Sequence, residues 1–210
     1  MKEKLSLLYK IIIIIACGFG IYLNFKAFTV GGAVIYYTVQ SNIMCFMFYV
    51  VVVILKLLGK LKKDSLYYIL KGMVTMAITI TMVVFQFVIT DSGMLAYAGN
   101  ELASVMAHVV VPLLVMSDYV IFGEKGNLKR NYPLIWSVTL VLYVIFDFVY
   151  VALGGRFNDG SIYPYLYMNI EVNGLLKVAI SCITIFILFI VYGTIIQTID
   201  QKLGKKRCRW

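Results

Sequence analysis

The chain has 210 residues, of which 62% are hydrophobic and only 14% are charged, and its formal net charge is +9. A water-soluble domain is roughly half apolar and a quarter charged, so this composition excludes a soluble protein and an intrinsically disordered one. The positive charge is better explained by the cytoplasmic loops of a multi-pass membrane protein than by nucleic-acid binding.

A membrane-spanning helix needs about 20 apolar residues, and the sequence predicts six such helices. Only the fourth contains a proline, Pro112, which predicts a local break in the helical hydrogen bonding. The predicted fold is all-α: a polytopic six-transmembrane-helix bundle that forms a single domain over residues 1–210. The predicted spans are 8–28, 41–58, 68–89, 102–122, 134–153 and 178–198.

Basic residues predict the orientation of this bundle in the cell membrane. Cationic side chains collect on the cytoplasmic side, and here they cluster in alternate connections, whereas the other side carries only Lys26, Arg156 and Lys177. We therefore expect six spans with both the N- and the C-terminus in the cytoplasm. The basic clusters are Lys2, Lys4 and Lys10; Lys56, Lys60, Lys62, Lys63 and Lys71; Lys125, Lys129 and Arg130; and Lys202, Lys205, Lys206, Arg207 and Arg209.

Polar residues inside the predicted spans converge at one depth. Thr38 lies at the outer mouth of the second span, and Asn42 lies one helical turn deeper on the same face. His108 lies roughly 9 Å inside the fourth span, and Asp147 lies at nearly the same depth in the fifth. Polar side chains are costly in hydrocarbon, so this shared depth predicts a pocket in the outer leaflet.

The inner half of the predicted bundle is nearly bare of polar residues. Its main exception is Asp118, which we expect near the inner surface, either solvated or paired with Lys125. A transport path carries polar groups through both halves of a membrane, so this distribution disfavours a transporter.

A hydroxyl and an imidazole are the minimal set for acyl transfer. His108 would take the proton of Thr38, whose oxygen would then attack an ester carbonyl. Asn42, Gln40 or backbone N–H groups at the start of the second helix would stabilise the oxyanion. Asp147 would orient and charge-stabilise His108.

The same residues also have structural interpretations. Thr38 is suited to cap the second helix, and Asp147 is suited to a buried ion pair with Lys177 or His108. A non-enzymatic binder of a lipid or small amphiphile would use the same pocket, and a small transporter is a further alternative. One histidine and no suitable cysteine pair give no standard zinc site, so we expect no metal and no cofactor.

Three motifs resemble those of a known family. Residues 36–42 (YYTVQSN), the spaced residues His108, Pro112 and Asp118, and residues 163–165 (YPY) look like the bacterial branch of the androgen-induced-gene family, over the whole chain. The resemblance implies a six-span integral membrane protein. Animal members of the family are threonine hydrolases of fatty acid esters of hydroxy fatty acids, which use one Thr and one His. Motif matching carries these roles to Thr38 and His108, so we expect a membrane hydrolase whose partners are membrane lipids or a lipid-ester substrate, and no nucleic acid.

Overall fold

The computed structural model describes residues 2–86, 101–158 and 160–207. Within these ranges the chain forms six long helices and no strand, which confirms the predicted all-α six-helix fold. All six are long and apolar enough to span a membrane, as expected of a multi-pass membrane protein. The helices are α1 (Lys2–Val34), α2 (Tyr37–Leu57), α3 (Ser65–Val84), α4 (Glu101–Phe122), α5 (Tyr132–Ala152) and α6 (Leu175–Arg207).

The helix ends follow the predicted spans closely, with two exceptions. α1 and α6 contain 33 residues each, which gives about 50 Å of helix against a hydrocarbon core of about 30 Å. α1 is interrupted at Thr29, whose φ of 62° and ψ of 166° are not helical, and this break falls directly after the predicted end of the first span. The predicted end of the third span, residues 87–89, lies outside the described residues.

The bundle has two ends, which we name by the residues found there. We call the end with the start of α1 and the last turn of α6 the terminal end, and the opposite end, where α2 begins, the Thr38 end. The helices α1 to α4 pack against one another, and α5 joins them mainly through its first turn, Tyr132–Trp136, which contacts both α3 and α6. Gly72 of α3 allows this approach, because a Cβ atom there would collide with the Trp136 ring.

The centre of the four-helix group is apolar and closed. Its buried side chains come from all four helices and include Cys45, Ile78, Val111 and Val115, each with an exposed fraction of 0%. On α4 the fully buried valines lie between His108 and Asp118. This packing separates the polar residues of the two ends of the bundle.

The terminal end contains a buried charged cluster that the sequence analysis missed. Asp118 is 0% exposed and accepts from the Nζ atoms of Lys10 at 2.6 Å and Lys71 at 2.9 Å. The Tyr49 hydroxyl also donates to it, at 3.2 Å. The expectation that Asp118 is solvated or paired with Lys125 is therefore wrong, and so is the description of this half as nearly bare. Lys10 and Lys71 looked like flanking residues in the sequence, but each is 5% exposed because it points inward to Asp118.

Candidate functional site

The structure brings Thr38 and His108 together at the Thr38 end. The Oγ1 atom of Thr38 lies 3.1 Å from Nε2 of His108, and the two residues are only 9% and 5% exposed. Thr38 does not cap α2, because the capping position is occupied by Tyr36 and no side chain there bonds to the helix. Its hydroxyl is instead directed across the bundle to the imidazole.

A local irregularity in α4 determines where His108 points. Residues Met106–Val110 form a π-helical turn, and the N–H of Val111 donates to the carbonyl of Met106. Pro112 has no N–H to donate to the carbonyl of His108, so the regular α-helical pattern cannot continue through this turn. The break predicted from Pro112 is thus present as a π turn, a feature that often occurs at functional sites.

The environment of the imidazole fixes its tautomer. Nδ1 of His108 lies 2.9 Å from the carbonyl oxygen of Ser104, one turn earlier in α4. The Ser104 hydroxyl also lies 3.3 Å from Nδ1. The carbonyl contact is the shorter one and a carbonyl can only accept, so we assign the proton to Nδ1, and Nε2 of the neutral ring presents a lone pair to Thr38. The ring of Phe85 stacks on the imidazole with centroids 4.1 Å apart and holds its plane. His108 is therefore oriented as a base towards the Thr38 hydroxyl.

Asp147 and Lys177 do not take the places expected for them. Asp147 was expected to orient His108, but the Ser104 carbonyl is the group that bonds to Nδ1 of the ring. Asp147 is buried, and neither carboxylate oxygen has a hydrogen bond to any described residue. Lys177 is exposed and forms no ion pair with Asp147. Equal depth in two helices did not bring the residues together, because α4 packs against α1, α2 and α3, whereas the Val138–Ala152 part of α5 packs against α3.

Asn42 and Gln40 are close to Thr38 in sequence but are bonded elsewhere. The Asn42 amide donates to the carbonyl oxygens of Thr38 at 2.8 Å and Ala107 at 3.2 Å. The Gln40 amide donates to the carbonyl of Val34 at 3.0 Å. Both N–H groups of the Asn42 amide are therefore taken, and the Gln40 amide is directed back to the end of α1 rather than towards Thr38. Asn42 instead ties the first turn of α2 to the π turn of α4, and thereby holds Thr38 against His108.

An apolar cavity of about 330 Å³ adjoins the Thr38 hydroxyl. This volume is at the lower end of the usual range for small-molecule pockets. Every lining residue is uncharged. The wall comprises Tyr37, Thr38, Ile80, Thr81, Val84, Leu140, Val141, Tyr143, Val144, Ile145, Tyr165, Tyr167, Met168, Cys182, Ile183, Ile185 and Phe186.

The cavity opens sideways between α5 and α6. Val141 and Ile145 of α5 and Ile183 of α6 line it, yet they are 44%, 52% and 58% exposed. The two helices meet at the Tyr132–Trp136 turn near the terminal end, while the Val138–Ala152 segment packs less closely on α6. The resulting cleft is bounded by aliphatic side chains and faces the region where acyl chains of a bilayer lie.

Sequence reasoning missed three parts of the site. Ser104 contributes a main-chain carbonyl, which no sequence motif reveals, and Phe85 is an ordinary apolar residue of the third span. Tyr165 belongs to the quoted 163–165 motif, but motif matching carried roles only to Thr38 and His108. In the structure Tyr165 is buried and lines the cavity beside Thr38, whereas Tyr163 is only partly buried.

Among the described residues, no group of three or more His, Cys, Asp or Glu side chains is arranged to hold a metal ion. We find no match to this chain among known protein-family models, curated proteins or solved structures.

Proposed function

We propose that this protein is an integral membrane hydrolase of fatty acyl esters, with Thr38 as the nucleophile and His108 as the base. One observation carries the proposal: the Thr38 hydroxyl lies 3.1 Å from Nε2 of a tautomerically fixed histidine, at the wall of an apolar cavity. A nucleophile within hydrogen-bonding distance of an oriented base is the geometry of covalent acyl transfer. The resemblance of the motifs to a family of threonine hydrolases agrees with the same two residues.

The first half of the reaction transfers the acyl group to the protein. His108 Nε2 accepts the proton of Thr38 Oγ1 as that oxygen bonds to the ester carbonyl carbon. The carbonyl electron pair moves to its oxygen, and the intermediate collapses by breaking the ester C–O bond. The leaving alcohol takes the proton from His108, and the acyl group remains on Thr38.

The second half restores the free enzyme. His108 accepts a proton from a water molecule, whose oxygen attacks the acyl carbon. The Thr38 oxygen leaves with the proton held by His108, and a fatty acid is released. Over both halves one ester and one water give one acid and one alcohol, so no cofactor is consumed.

The backbone of α2 supplies one donor for the oxyanion. The N–H of Thr38 lies in the first turn of α2, where no carbonyl of the same helix can accept from it. Such a donor also benefits from the positive end of the helix dipole. Asn42 and Gln40 were expected to help here, but their amides are bonded to main-chain carbonyls.

The cavity favours an acyl chain that enters from the bilayer. Its uncharged wall offers no partner for an ionic headgroup, and burial of apolar surface contributes about 0.8 kcal/mol per methylene group. The lateral cleft between α5 and α6 gives a chain direct access from hydrocarbon. A substrate with its ester near Thr38 and its acyl chain towards Cys182 fits this shape.

We infer that the terminal end faces the cytoplasm of the cell and the Thr38 end faces outward, because cationic residues collect on the cytoplasmic side. A reporter active only in the cytoplasm should therefore work when fused to the C-terminus and fail when inserted between Gly154 and Gly155. The reverse pattern would place the site in the inner leaflet. Besides Lys10 and Lys71 of the buried cluster, the basic residues of the terminal end include Lys2, Lys4, Lys56, Lys60, Lys62, Lys63, Lys125, Lys129, Arg130, Lys202 and Lys205.

A lipid-binding protein without catalysis is the alternative that the cavity also favours, since the same wall would hold an apolar ligand. Transport is less favoured, because the charged cluster around Asp118 and the Thr38–His108 pair are separated by fully buried apolar side chains such as Val111 and Val115.

The test is hydrolysis of 4-nitrophenyl decanoate by the purified full chain in lipid nanodiscs. The wild type should hydrolyse the ester, Thr38→Ala should not, and Thr38→Ser should keep measurable activity because it retains a hydroxyl. Thr79→Val is the matched control, since Thr79 is buried in α3 but bonds only to the Thr75 carbonyl. Equal rates for the wild type and Thr38→Ala would overturn the proposal and favour the non-catalytic alternative.

A further inference from the structure

The oxyanion needs a second donor besides the Thr38 N–H, and the cavity wall contains one. Tyr165 comes from the loop between α5 and α6, is 8% exposed and lines the same cavity as Thr38. Its ring lies 6.5 Å from that of Tyr143, centroid to centroid, and both side chains line the cavity together with Thr38. Three side chains that carry hydroxyl groups thus line the cavity that an ester bound to Thr38 would occupy.

Counting protons shows which of these hydroxyls is free to donate. Each hydroxyl has one proton. The proton of Thr38 is directed to Nε2 of His108, and the proton of Tyr143 is donated to the carbonyl oxygen of Ile35 at 3.2 Å. The proton of Tyr165 is the one left to donate to the carbonyl oxygen of an ester held against Thr38.

The packing around Tyr165 fixes the position of its hydroxyl. Its ring stacks on Tyr167 with centroids 5.5 Å apart and an interplanar angle of 7°, and meets the edge of Tyr36 at 6.3 Å. Burial raises the pKa of the Tyr165 phenol above its ordinary value, so the group stays protonated at neutral pH. A preorganised neutral donor of this kind stabilises charge that develops on a carbonyl oxygen.

We propose that Tyr165 is a further catalytic residue, whose hydroxyl donates a hydrogen bond to the ester carbonyl oxygen and holds the oxyanion together with the Thr38 N–H. The inference rests on the proposed hydrolase function. In the step it assists, the bond from Thr38 Oγ1 to the carbonyl carbon forms and the carbonyl electron pair moves to oxygen. The Thr38 proton passes to His108, and the Tyr165 proton stays on the phenol.

Tyr165→Phe tests this role without changing the shape of the wall. With 4-nitrophenyl decanoate as the probe, the leaving nitrophenolate needs no proton, so a loss of rate cannot be assigned to protonation of the leaving group. We expect kcat to fall on the order of 10²-fold or more, with KM changed less than about threefold. Tyr150→Phe is the control, because Tyr150 belongs to the same aromatic cluster but its hydroxyl donates to the Arg156 carbonyl, away from the cavity.

A transition-state analogue separates catalysis from packing. A decyl trifluoromethyl ketone forms an oxyanion-like adduct with a nucleophilic hydroxyl, so its inhibition constant should weaken in Tyr165→Phe by the same factor as kcat/KM. The matching secondary alcohol cannot form the adduct and should bind equally to both proteins. Unchanged kcat in Tyr165→Phe, or a rise in KM alone, would overturn the role of Tyr165 while leaving the hydrolase intact. Equal activity of the wild type and Thr38→Ala would overturn both.

Discussion

At the Thr38 end, Thr38 lines a cavity of about 330 Å³, whereas at the terminal end Lys10 and Lys71 both bond to Asp118, and Lys71 borders a void of only about 20 Å³. The smaller void has room for about one water molecule. Both regions contain charged or polar groups within spanning helices, and both join residues from several helices. The terminal-end cluster thus joins three helices in close packing, while the Thr38 end has open space beside it, as the proposed reaction requires.

Removal of Asp118 should give the largest effect on stability. Asp118→Ala leaves two buried ammonium groups without their carboxylate, and breaking a buried ion pair in this way costs about 3–5 kcal/mol. We expect a large fall in the apparent melting temperature in detergent. The combined change of Lys10→Met, Lys71→Met and Asp118→Leu should recover much of that loss, because well-packed apolar residues replace the whole cluster. Recovered stability without recovered ester hydrolysis would show that the cluster also serves the reaction.

Changes at the Thr38–His108 pair should have the opposite effect, because the proposed function predicts that they abolish ester hydrolysis while stability is kept. General base catalysis accelerates a reaction about 10²–10⁴-fold, so His108→Ala should lower kcat/KM by about 10²-fold or more. Thr38→Ala and the double variant Thr38→Ala/His108→Ala should have equally low activity, because both residues serve one step. Kinetics and thermal unfolding measured on the same preparations would check this. If the loss of kcat/KM in the double variant equalled the product of the two single losses, the two residues would not serve a shared step.

The exposed pair of Lys63 and Glu124 should contribute far less than the buried cluster. Hydrogen bonds from Lys63 and Tyr68 lower the pKa of Glu124 from its ordinary value of 4.5. The stabilisation that the Glu124 carboxylate contributes is therefore fully present above the pKa that Glu124 has in the unfolded chain. It is lost as the pH falls through the lower pKa that Glu124 has in the folded protein. Glu124 is 49% exposed, so we expect about 1 kcal/mol or less. Melting temperatures of Glu124→Gln and wild type should differ slightly near pH 7 and converge as the pH falls through the lowered pKa of Glu124.

Asp147→Asn should have the smallest effect on the rate. Because the Ser104 carbonyl orients His108, loss of the Asp147 charge should change kcat/KM by less than about threefold. A loss on the order of 10²-fold would show that Asp147 acts on the imidazole during turnover, which the present geometry does not provide.

Much of the fold could be predicted from the sequence, because hydrophobic length alone determines the number of spans. The pairing of Thr38 with His108 could also be predicted, since both depth along the helices and the motif resemblance indicated it. The neighbours of His108 could not be predicted in this way. Depth says how far a residue lies from a helix end, but not which helices are adjacent, and for this reason Asp147 was placed against His108.

The terminal-end cluster was missed for a related physical reason. A lysine near the end of a span is usually read as a residue whose ammonium reaches water. Lys10 and Lys71 instead turn inward, because Asp118 lies between their helices and offers both carboxylate oxygens. The Ser104 carbonyl likewise gives no sequence signal, since every residue has one.

Covalent labelling of Thr38 tests the central claim most directly. The purified full chain in nanodiscs would be treated with an alkyl fluorophosphonate, and the modified residue would be located by mass spectrometry. We predict a phosphonylated Thr38, no labelling in Thr38→Ala, and much slower labelling in His108→Ala. A folded protein that hydrolyses esters but carries no label on Thr38, or carries it on another hydroxyl such as Ser41, would contradict the assignment of Thr38 as the nucleophile.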